Sequence, residues 1–406
     1  MTNTLVICGH GMVAQRLLEQ LCAQPSVPYS RIVVLSGEPS PAYNRILLSS
    51  MLAGDAGESS LTLQGEDWFQ RNNIERRQGD PVVRIDRDAC QVITASGHSE
   101  HYDHLVIATG SRSASLGLPG EDLKGVVGFR DLRDTRTLIE LSQRHRRAVV
   151  VGGGFLGLEA AEGLRCRGMA VTVLHRGSHL LNRQLDKVGG NLLKDALSDR
   201  GLTVRTSTSP LALVGNQQLR AVQLADETLI STDLVVIAAG ITPNAEIGRE
   251  AGLNCDRGIL VDNRLQTSDP NIFALGECCQ LGRETFGLVE PGYEQAAVLA
   301  EVLCQPNTTA HYQPSVIATR LKISGIPIFS SGQTEPDEHT ESVVWQDYET
   351  NRYCRLMIRN QKLTGAVLFG ETSDGPWYHE RIRQAEDITE YRASLAFGKD
   401  YCNAAA

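Results

Sequence analysis

Gly9, Gly11 and Ala14 stand at the spacing G-x-G-x-x-[AG], directly after the apolar run Leu5-Val6-Ile7-Cys8. The pattern returns as Gly152, Gly154 and Gly157 after Ala148-Val149-Val150-Val151. The spacing has a physical meaning. The first Gly permits a tight strand-to-helix turn, the second lets backbone approach a pyrophosphate, and the third small residue lets helix and strand pack closely. The helix that follows aims its free N–H groups at the phosphates. One copy alone is weak evidence, whereas two copies, each between an apolar strand and a helix, are strong. A second pair of segments also repeats. Tyr102-Asp103-His104-Leu105-Val106-Ile107-Ala108-Thr109-Gly110 matches Thr232-Asp233-Leu234-Val235-Val236-Ile237-Ala238-Ala239-Gly240, so Thr109 and Gly110 correspond to Ala239 and Gly240. Two related nucleotide-binding units are the simplest reading.

The charged residues after the second strand differ between the copies. In the first, strand Arg31 to Leu35 runs out near Glu38. A carboxylate there suits the hydroxyls of an adenosine ribose, although Glu38 lies farther from Gly9 than the usual ~20 residues. A solvated turn Glu before Pro39 is the alternative. In the second, strand Ala170 to Leu174 ends in His175-Arg176. Cations at this point suit a 2′-phosphate, which tilts the second site towards NADPH. Contact of both side chains with pyrophosphate or solvent is the plainer alternative.

These residues need elements to hold them. The strands named above must form parallel sheets, with helices read over Gln15 to Cys22 and Leu158 to Arg167. Ser111 to Gly120, with Pro119-Gly120, reads as a linker. After Gln305-Pro306-Asn307 the pattern changes. Ser342 to Trp345, Tyr353 to Ile358 and Lys362 to Phe369 alternate like an antiparallel sheet, with Gln361 in a turn, and helix signal returns at Trp377 to Ala385. At 406 residues, with 41% hydrophobic and 21% charged, the chain suits two or three soluble domains. The net charge of −9 argues against nucleic-acid binding and against an anionic membrane surface. No apolar run is long enough to span a membrane, and the start reads as a strand rather than a signal peptide. The ten cysteines are scattered without a C-x-x-C pair, as small buried hydrophobes in a reducing cytoplasm.

With these motifs the sequence resembles the two-dinucleotide-binding-domain flavoproteins, the pyridine nucleotide-disulfide oxidoreductase superfamily. Thr267-Ser268-Asp269-Pro270-Asn271-Ile272-Phe273-Ala274-Leu275-Gly276-Glu277-Cys278 is similar to that family's second FAD motif, with Glu277 where most relatives have Asp. Gly240-Ile241-Thr242-Pro243-Asn244 is similar to its return from the nucleotide domain. The flavin-adjacent Pro41-Ala42-Tyr43-Asn44-Arg45-Ile46-Leu47-Leu48-Ser49-Ser50 resembles the nitrite reductase large subunit. So do Asn182-Arg183-Gln184-Leu185-Asp186, Gly287 to Tyr293, Thr319 to Gly325 and Leu363 to Asp374.

The resemblance implies an α/β fold of two Rossmann-like domains plus a small α+β C-terminal domain. Residues 1–113 and 241–310 would bind FAD, 114–240 NAD(P)H, and 311–406 would form an interface or docking domain. At the FAD site it implies Gly9, Gly11, Met12, Val13, Ala14, Glu38, Arg45, Val82, Thr109, Gly110, Gly276, Glu277 and Gly292. At the NAD(P)H site it implies Gly152, Gly154, Phe155, Leu156, Gly157, Glu159, His175, Arg176, Ala239 and Gly240. The N-terminus of a helix from Gly292 to Leu303 would face the flavin and stabilise its reduced anion. Catalytic roles fall to Arg45, for negative charge on the flavin or its phosphates, and to Glu159, for placing the nicotinamide. Related ferredoxin reductases carry a Lys where Ser50 stands, so Glu159 must find other donors or be protonated.

The departures matter too. No Cys lies between Glu38 and Pro81, so thiol–disulfide chemistry at the flavin is disfavoured, and Cys278-Cys279 read as packing. Clustered cysteines for iron–sulfur ligation are absent, and no metal site is expected. The chain stops at Ala406, short of the metal half of a nitrite reductase, so electrons are expected to pass to a separate protein. The leading expectation is an FAD-containing NAD(P)H dehydrogenase serving as electron-transfer subunit of an assimilatory nitrate or nitrite reductase. A rubredoxin or ferredoxin reductase is one alternative, and an NAD(P)H-sensing flavoprotein with negligible turnover another.

Overall fold

A computed structural model describes residues 3–323 and 325–405. Met1, Thr2, Ser324 and Ala406, which fall in the segments read above, lie outside the described residues. The chain divides into two compact units. One holds residues 1–48, 56–112 and 241–314, and the other 49–55, 113–240 and 315–406.

The first unit is built on a five-stranded parallel sheet. Its order is Ile272–Ala274, His104–Ile107, Thr4–Cys8, Arg31–Ser36, Ile74–Gln78. The central strand is apolar from Leu5 to Cys8, and Leu5, Val6 and Ile7 are fully buried. Strands covered on both faces read as continuous apolar runs, and this one does. Strand order reverses beside Thr4–Cys8. The crevice at the carboxyl ends of Thr4–Cys8 and His104–Ile107 is therefore the ligand position of such a sheet.

The second unit repeats the plan in the order Thr203–Arg205, Ala170–Leu174, Arg147–Val151, Leu234–Ile237, Val126–Gly128, all parallel. Its reversal lies between Arg147–Val151 and Leu234–Ile237. One face is covered by an antiparallel sheet, where Leu213, Leu219, Val222 and Leu224 join Val149 and Val151 in one buried cluster. Residues 49–55 pack on the helix Phe155–Cys166. Leu52 fills the space a Cβ at Gly163 would need, with Cγ 2.8 Å from that point.

Residues 315–405 of the same unit carry a five-stranded antiparallel sheet. It includes Glu341–Asp347, Arg352–Arg359 and Lys362–Phe369, the stretches whose alternation predicted it. Asn360 and Gln361 make the turn with positive φ. Two strands, Ala318–Ile323 and Ile326–Gly332, were not legible as such. The helix Gly375–Gln384 packs over Phe329, Leu356 and Leu368, and Gly375 lies against the Phe329 ring where a Cβ would come within 2.5 Å.

Three helices start earlier than their sequences suggest. They span Met12–Cys22, Phe155–Cys166 and Val289–Cys304, each beginning three residues before the predicted start. Glycine discourages helix interiors but serves as an N-cap, which is the place of Gly11 and Gly154. In the third helix Pro291 sits in the first turn, where its missing N–H has no partner to lose. Gly292 is thus inside the helix rather than at its mouth.

Candidate functional site: two phosphate cradles

In the first unit, Gly9 takes φ +105°, and a Cβ there would lie 2.3 Å from the Ala108 carbonyl oxygen. Only glycine satisfies both the backbone and the approach. Two residues on, a Cβ at Gly11 would meet nothing within 4 Å. Gly11 caps the helix Met12–Cys22, whose first turn contains no acid. Free backbone N–H groups, the positive end of the helix dipole and open space meet at one point, which suits a pyrophosphate. Ala14 is buried at the third position. Val13 is the packing partner of two other predicted residues. A Cβ at Gly292 would come within 2.5 Å of its Cγ2, and one at Gly276 would stand 3.5 Å away.

Glu38 lies just past the strand Arg31–Ser36. Its carboxylate accepts the Tyr43 hydroxyl at 2.8 Å and forms an ion pair with Arg45. Arg45 also lies over the Tyr43 ring, 5.1 Å from its centroid, and its backbone N–H reaches the Met12 sulfur at 3.3 Å. Met12, Glu38 and Arg45 are therefore brought together, with Tyr43 as a fourth member the sequence reading did not single out. Arg45, expected to neutralise flavin charge, pairs its guanidinium with Glu38. Val82 opens the strand Val82–Asp86 and packs against the core, and its neighbour Pro81 would stand 3.1 Å from a Cβ at Gly37.

The other edge of the crevice is equally organised. Glu277 accepts the Ser111 hydroxyl at 2.8 Å, in the turn Gly276–Cys278. Thr109 is locked to Asn244 in both directions. Its hydroxyl donates to the Asn244 carbonyl at 2.8 Å, and the Asn244 amide donates to the Thr109 carbonyl at 2.9 Å. Gly110, at φ +64°, turns the chain between them. Ser111 was read only as the start of a linker. Cys278 and Cys279 are fully buried, and burial pushes both thiols up, away from the reactive thiolate. His10, inside the first loop, is buried beside Phe69 and Gln15; burial lowers its pKa to about 4, so the ring is neutral at pH 7.

The second unit reproduces the cradle. Gly152 takes φ +134°, and its Cβ would lie 2.2 Å from the Ala238 carbonyl oxygen. Gly154 caps the helix Phe155–Cys166, again with no acid in the first turn and nothing within 4 Å of a Cβ. Phe155 and Leu156 open that helix. Gly157 differs from Ala14, because a Cβ on it would strike the Gly152 carbonyl oxygen at 2.0 Å. Ala239 and Gly240 are exposed at the end of Leu234–Ile237.

His175 departs from its expected role. Its Nδ1 accepts the Gly153 N–H at 3.2 Å, and burial holds its pKa below the ordinary 6.5. A neutral, accepting imidazole braces the loop and offers no cation to a phosphate. Arg176 alone remains exposed at this point. Glu159 lies on the first turns of the helix, and burial pushes its carboxyl up to about 7 against the opposing hydrogen bond from Ser49. Ser49 lies on the short helix Leu48–Ala53, one residue before Ser50, which stands where the resemblance places a Lys; Glu159 thus has another donor and is also raised towards protonation.

Two Rossmann-type units, each with an open, acid-free helix N-terminus at its strand-order switch, define a protein that binds two dinucleotides. Comparison with known proteins narrows the class. Residues 4–298 match the pyridine nucleotide-disulphide oxidoreductase family, and residues 318–386 match the rubredoxin NAD+ reductase C-terminal domain. The chain belongs to the pyridine nucleotide-disulphide oxidoreductase family. It is 39% identical to a nitrite reductase [NAD(P)H] of Bacillus subtilis, over 95% of this chain and 48% of that protein. It is 38% identical to the assimilatory nitrate reductase electron transfer subunit of the same organism, over 95% of this chain and 50% of that one. The chain thus spans about half the length of these relatives. Among solved structures, a ferredoxin reductase from Rhodopseudomonas palustris superposes with a TM-score of 0.88 at 27% identity, over the whole of both chains. The protein is an NAD(P)H-dependent oxidoreductase that binds FAD. No helix among the described residues is long and apolar enough to cross a membrane.

Proposed function

We propose that the protein takes electrons from NAD(P)H and delivers them to a separate redox protein, as the electron-transfer component of an assimilatory nitrate or nitrite reductase. The observation that carries this reading is the similarity, along nearly the whole chain, to the two Bacillus subtilis proteins. The first unit, with Gly9, Gly11, Met12, Val13, Ala14, Glu38, Arg45, Val82, Thr109, Gly110, Gly276, Glu277 and Gly292, would hold FAD. The 113–240 region, with Gly152, Gly154, Phe155, Leu156, Gly157, Arg176, Ala239 and Gly240, would hold NAD(P)H. Bound FAD would supply hydride acceptance and one-electron release.

The chain's own side chains then have limited work. The two cradles bind and orient phosphates. Glu38 accepts ribose hydroxyls from a position held by Tyr43 and Arg45. Glu277, steadied by Ser111, accepts hydroxyls from the other edge. Glu159, whose carboxyl burial pushes up to about 7, would help place the nicotinamide. Placement is the main contribution of such a site, because oriented reactants need no further entropy loss. The buried thiols of Cys278 and Cys279 argue against thiol–disulfide chemistry here. The C-terminal sheet offers a docking surface. Its edge strand Glu341–Asp347 exposes Val344 and Trp345, and Tyr348, Phe397 and Tyr401 are also exposed.

A second reading is a rubredoxin or ferredoxin reductase, favoured by the match of residues 318–386. Anaerobic titration with NADH and with NADPH tests flavin reduction and donor preference together. Mixing the reduced protein with nitrate reductase catalytic subunits, and separately with rubredoxin, tests the acceptor. Absence of NAD(P)H-driven nitrate or nitrite reduction with every such subunit, alongside rapid rubredoxin reduction, would transfer the assignment to the second reading.

A further inference from the structure

The loop that follows His175 is anchored at both ends. At one end, the Leu181 N–H donates to the Gly153 carbonyl at 3.0 Å, and the Gly153 N–H donates to His175. The fit is close: a Cβ at Gly153 would stand 2.7 Å from atoms of both His175 and Leu180. Leu181 itself is held at φ +50°, a left-handed conformation that a leucine adopts only when its surroundings impose it. At the other end lies Asp186, which is fully buried. One carboxylate oxygen caps the helix Lys187–Asp199 by accepting the Gly189 N–H at 3.2 Å. The other accepts the Tyr353 hydroxyl at 2.5 Å and the Arg355 guanidinium at 2.8 Å. Tyr353 and Arg355 come from the strand Arg352–Arg359 of the C-terminal sheet. Between the anchors, His179 Nε2 bonds the Leu185 carbonyl at 3.1 Å. Glu335 adds a second tie, accepting the Lys187 N–H at 3.1 Å and standing 3.6 Å from Arg355.

A buried carboxylate costs stability unless it is paired and hydrogen-bonded, and here the pairing cation and the donating hydroxyl both belong to the C-terminal sheet. We propose that Asp186, Tyr353 and Arg355 form a brace through which the C-terminal sheet positions the Gly152–Gly157 loop for the dinucleotide. They are positioning residues for NAD(P)H binding. The brace rests on the reading that this loop is the NAD(P)H site. It gives the C-terminal sheet a task besides the proposed docking, that of holding the donor loop in place.

The test uses the full chain loaded with FAD and an artificial one-electron acceptor such as ferricyanide. Arg355→Met is expected to raise KM for NAD(P)H about tenfold and Tyr353→Phe about threefold, with kcat and FAD content unchanged. Arg355→Lys, which restores the charge, is expected to recover most of the loss. A merely structural role would raise KM and lower kcat and FAD content together, or move none of them. Unchanged KM in folded, FAD-loaded variants overturns the brace, as does a fall in kcat at constant KM. Should Arg355→Met fail to fold, Tyr353→Phe, which removes one hydroxyl, decides the matter. Gly154→Val separates the two readings. If it leaves KM unchanged, the loop is not the donor site and the assignment itself falls. If it raises KM while the Arg355 and Tyr353 variants do not, only the brace falls.

Discussion

The two Gly-rich cradles share a backbone and differ in what surrounds it. Gly9 and Gly152 are pressed under the carbonyls of Ala108 and Ala238 at nearly the same separation, 2.3 and 2.2 Å for a hypothetical Cβ. Gly11 and Gly154 both face open space. The third position separates them. Ala14 is accommodated with its methyl group, whereas Gly157 has the Gly152 carbonyl where that methyl would go. The charged rims separate them further. The first carries a carboxylate pinned by Tyr43 and Arg45, and the second a neutral His175 turned onto the loop with Arg176 left outside. A phosphate cradle is thus a backbone property that repeats, and its nucleotide preference is a side-chain property that does not.

The largest effects are expected at the shared glycines. Gly9→Ala and Gly152→Ala both force a Cβ into a carbonyl at positive φ, and each is expected to destabilise its own unit by about 3 kcal/mol or more. Chemical denaturation reads this directly, and a loss under 1 kcal/mol in either would sink the steric account. The open position should behave oppositely. Gly11→Val and Gly154→Val are expected to leave the fold nearly intact yet cost about 2 kcal/mol of ligand affinity, roughly thirtyfold. Gly11→Val should lose FAD, seen as flavin content, and Gly154→Val should lose NAD(P)H, seen as KM. Loss of the same ligand from both variants would abolish the distinction drawn here.

The two cradles should respond differently at the third position. Gly157→Ala should cost about 1–3 kcal/mol by overpacking. Ala14→Gly should cost only about 1 kcal/mol, the helix penalty of glycine. Equal costs, measured by the same denaturation, would count against the asymmetry.

Glu159 predicts a pH dependence specific to the second unit. Its folded pKa of about 7 lies above the ordinary 4.5, so the folded state holds the proton more tightly than the unfolded chain. Stability should therefore fall as pH rises from 4.5 to about 7, and level off above it. Glu159→Gln should flatten that slope; a slope unchanged in the variant would show that another group titrates. The smallest effect is expected at the rim. Arg176→Gln should lower the preference for NADPH over NADH about fivefold, close to 1 kcal/mol, in steady-state kcat/KM ratios.

Much of this was legible in the chain because it depends on local geometry. The apolar strands, the two glycine patterns and the repeat of Tyr102–Gly110 at Thr232–Gly240 specify where backbone must turn and where phosphate can approach. Helix starts were misread because a glycine looks the same as a breaker and as an N-cap until its φ and neighbours are known. The acid Glu277 could be found by its motif, but its partner Ser111 lies far away in sequence. The same holds for Glu159 and Ser49, which are distant in sequence and meet only in the fold. His175 shows the clearest reversal: its place in the chain suggested a cation, and burial made it a neutral acceptor.

The kind of site, two dinucleotide cradles on parallel sheets, follows from local pattern, since glycine spacing and apolar runs act within about thirty residues. Tertiary structure decided the charge states, the partners of Glu38, Glu159 and Glu277, and the tie from Asp186 to the C-terminal sheet. Those depend on burial and on contacts between distant segments, and no local pattern carries either.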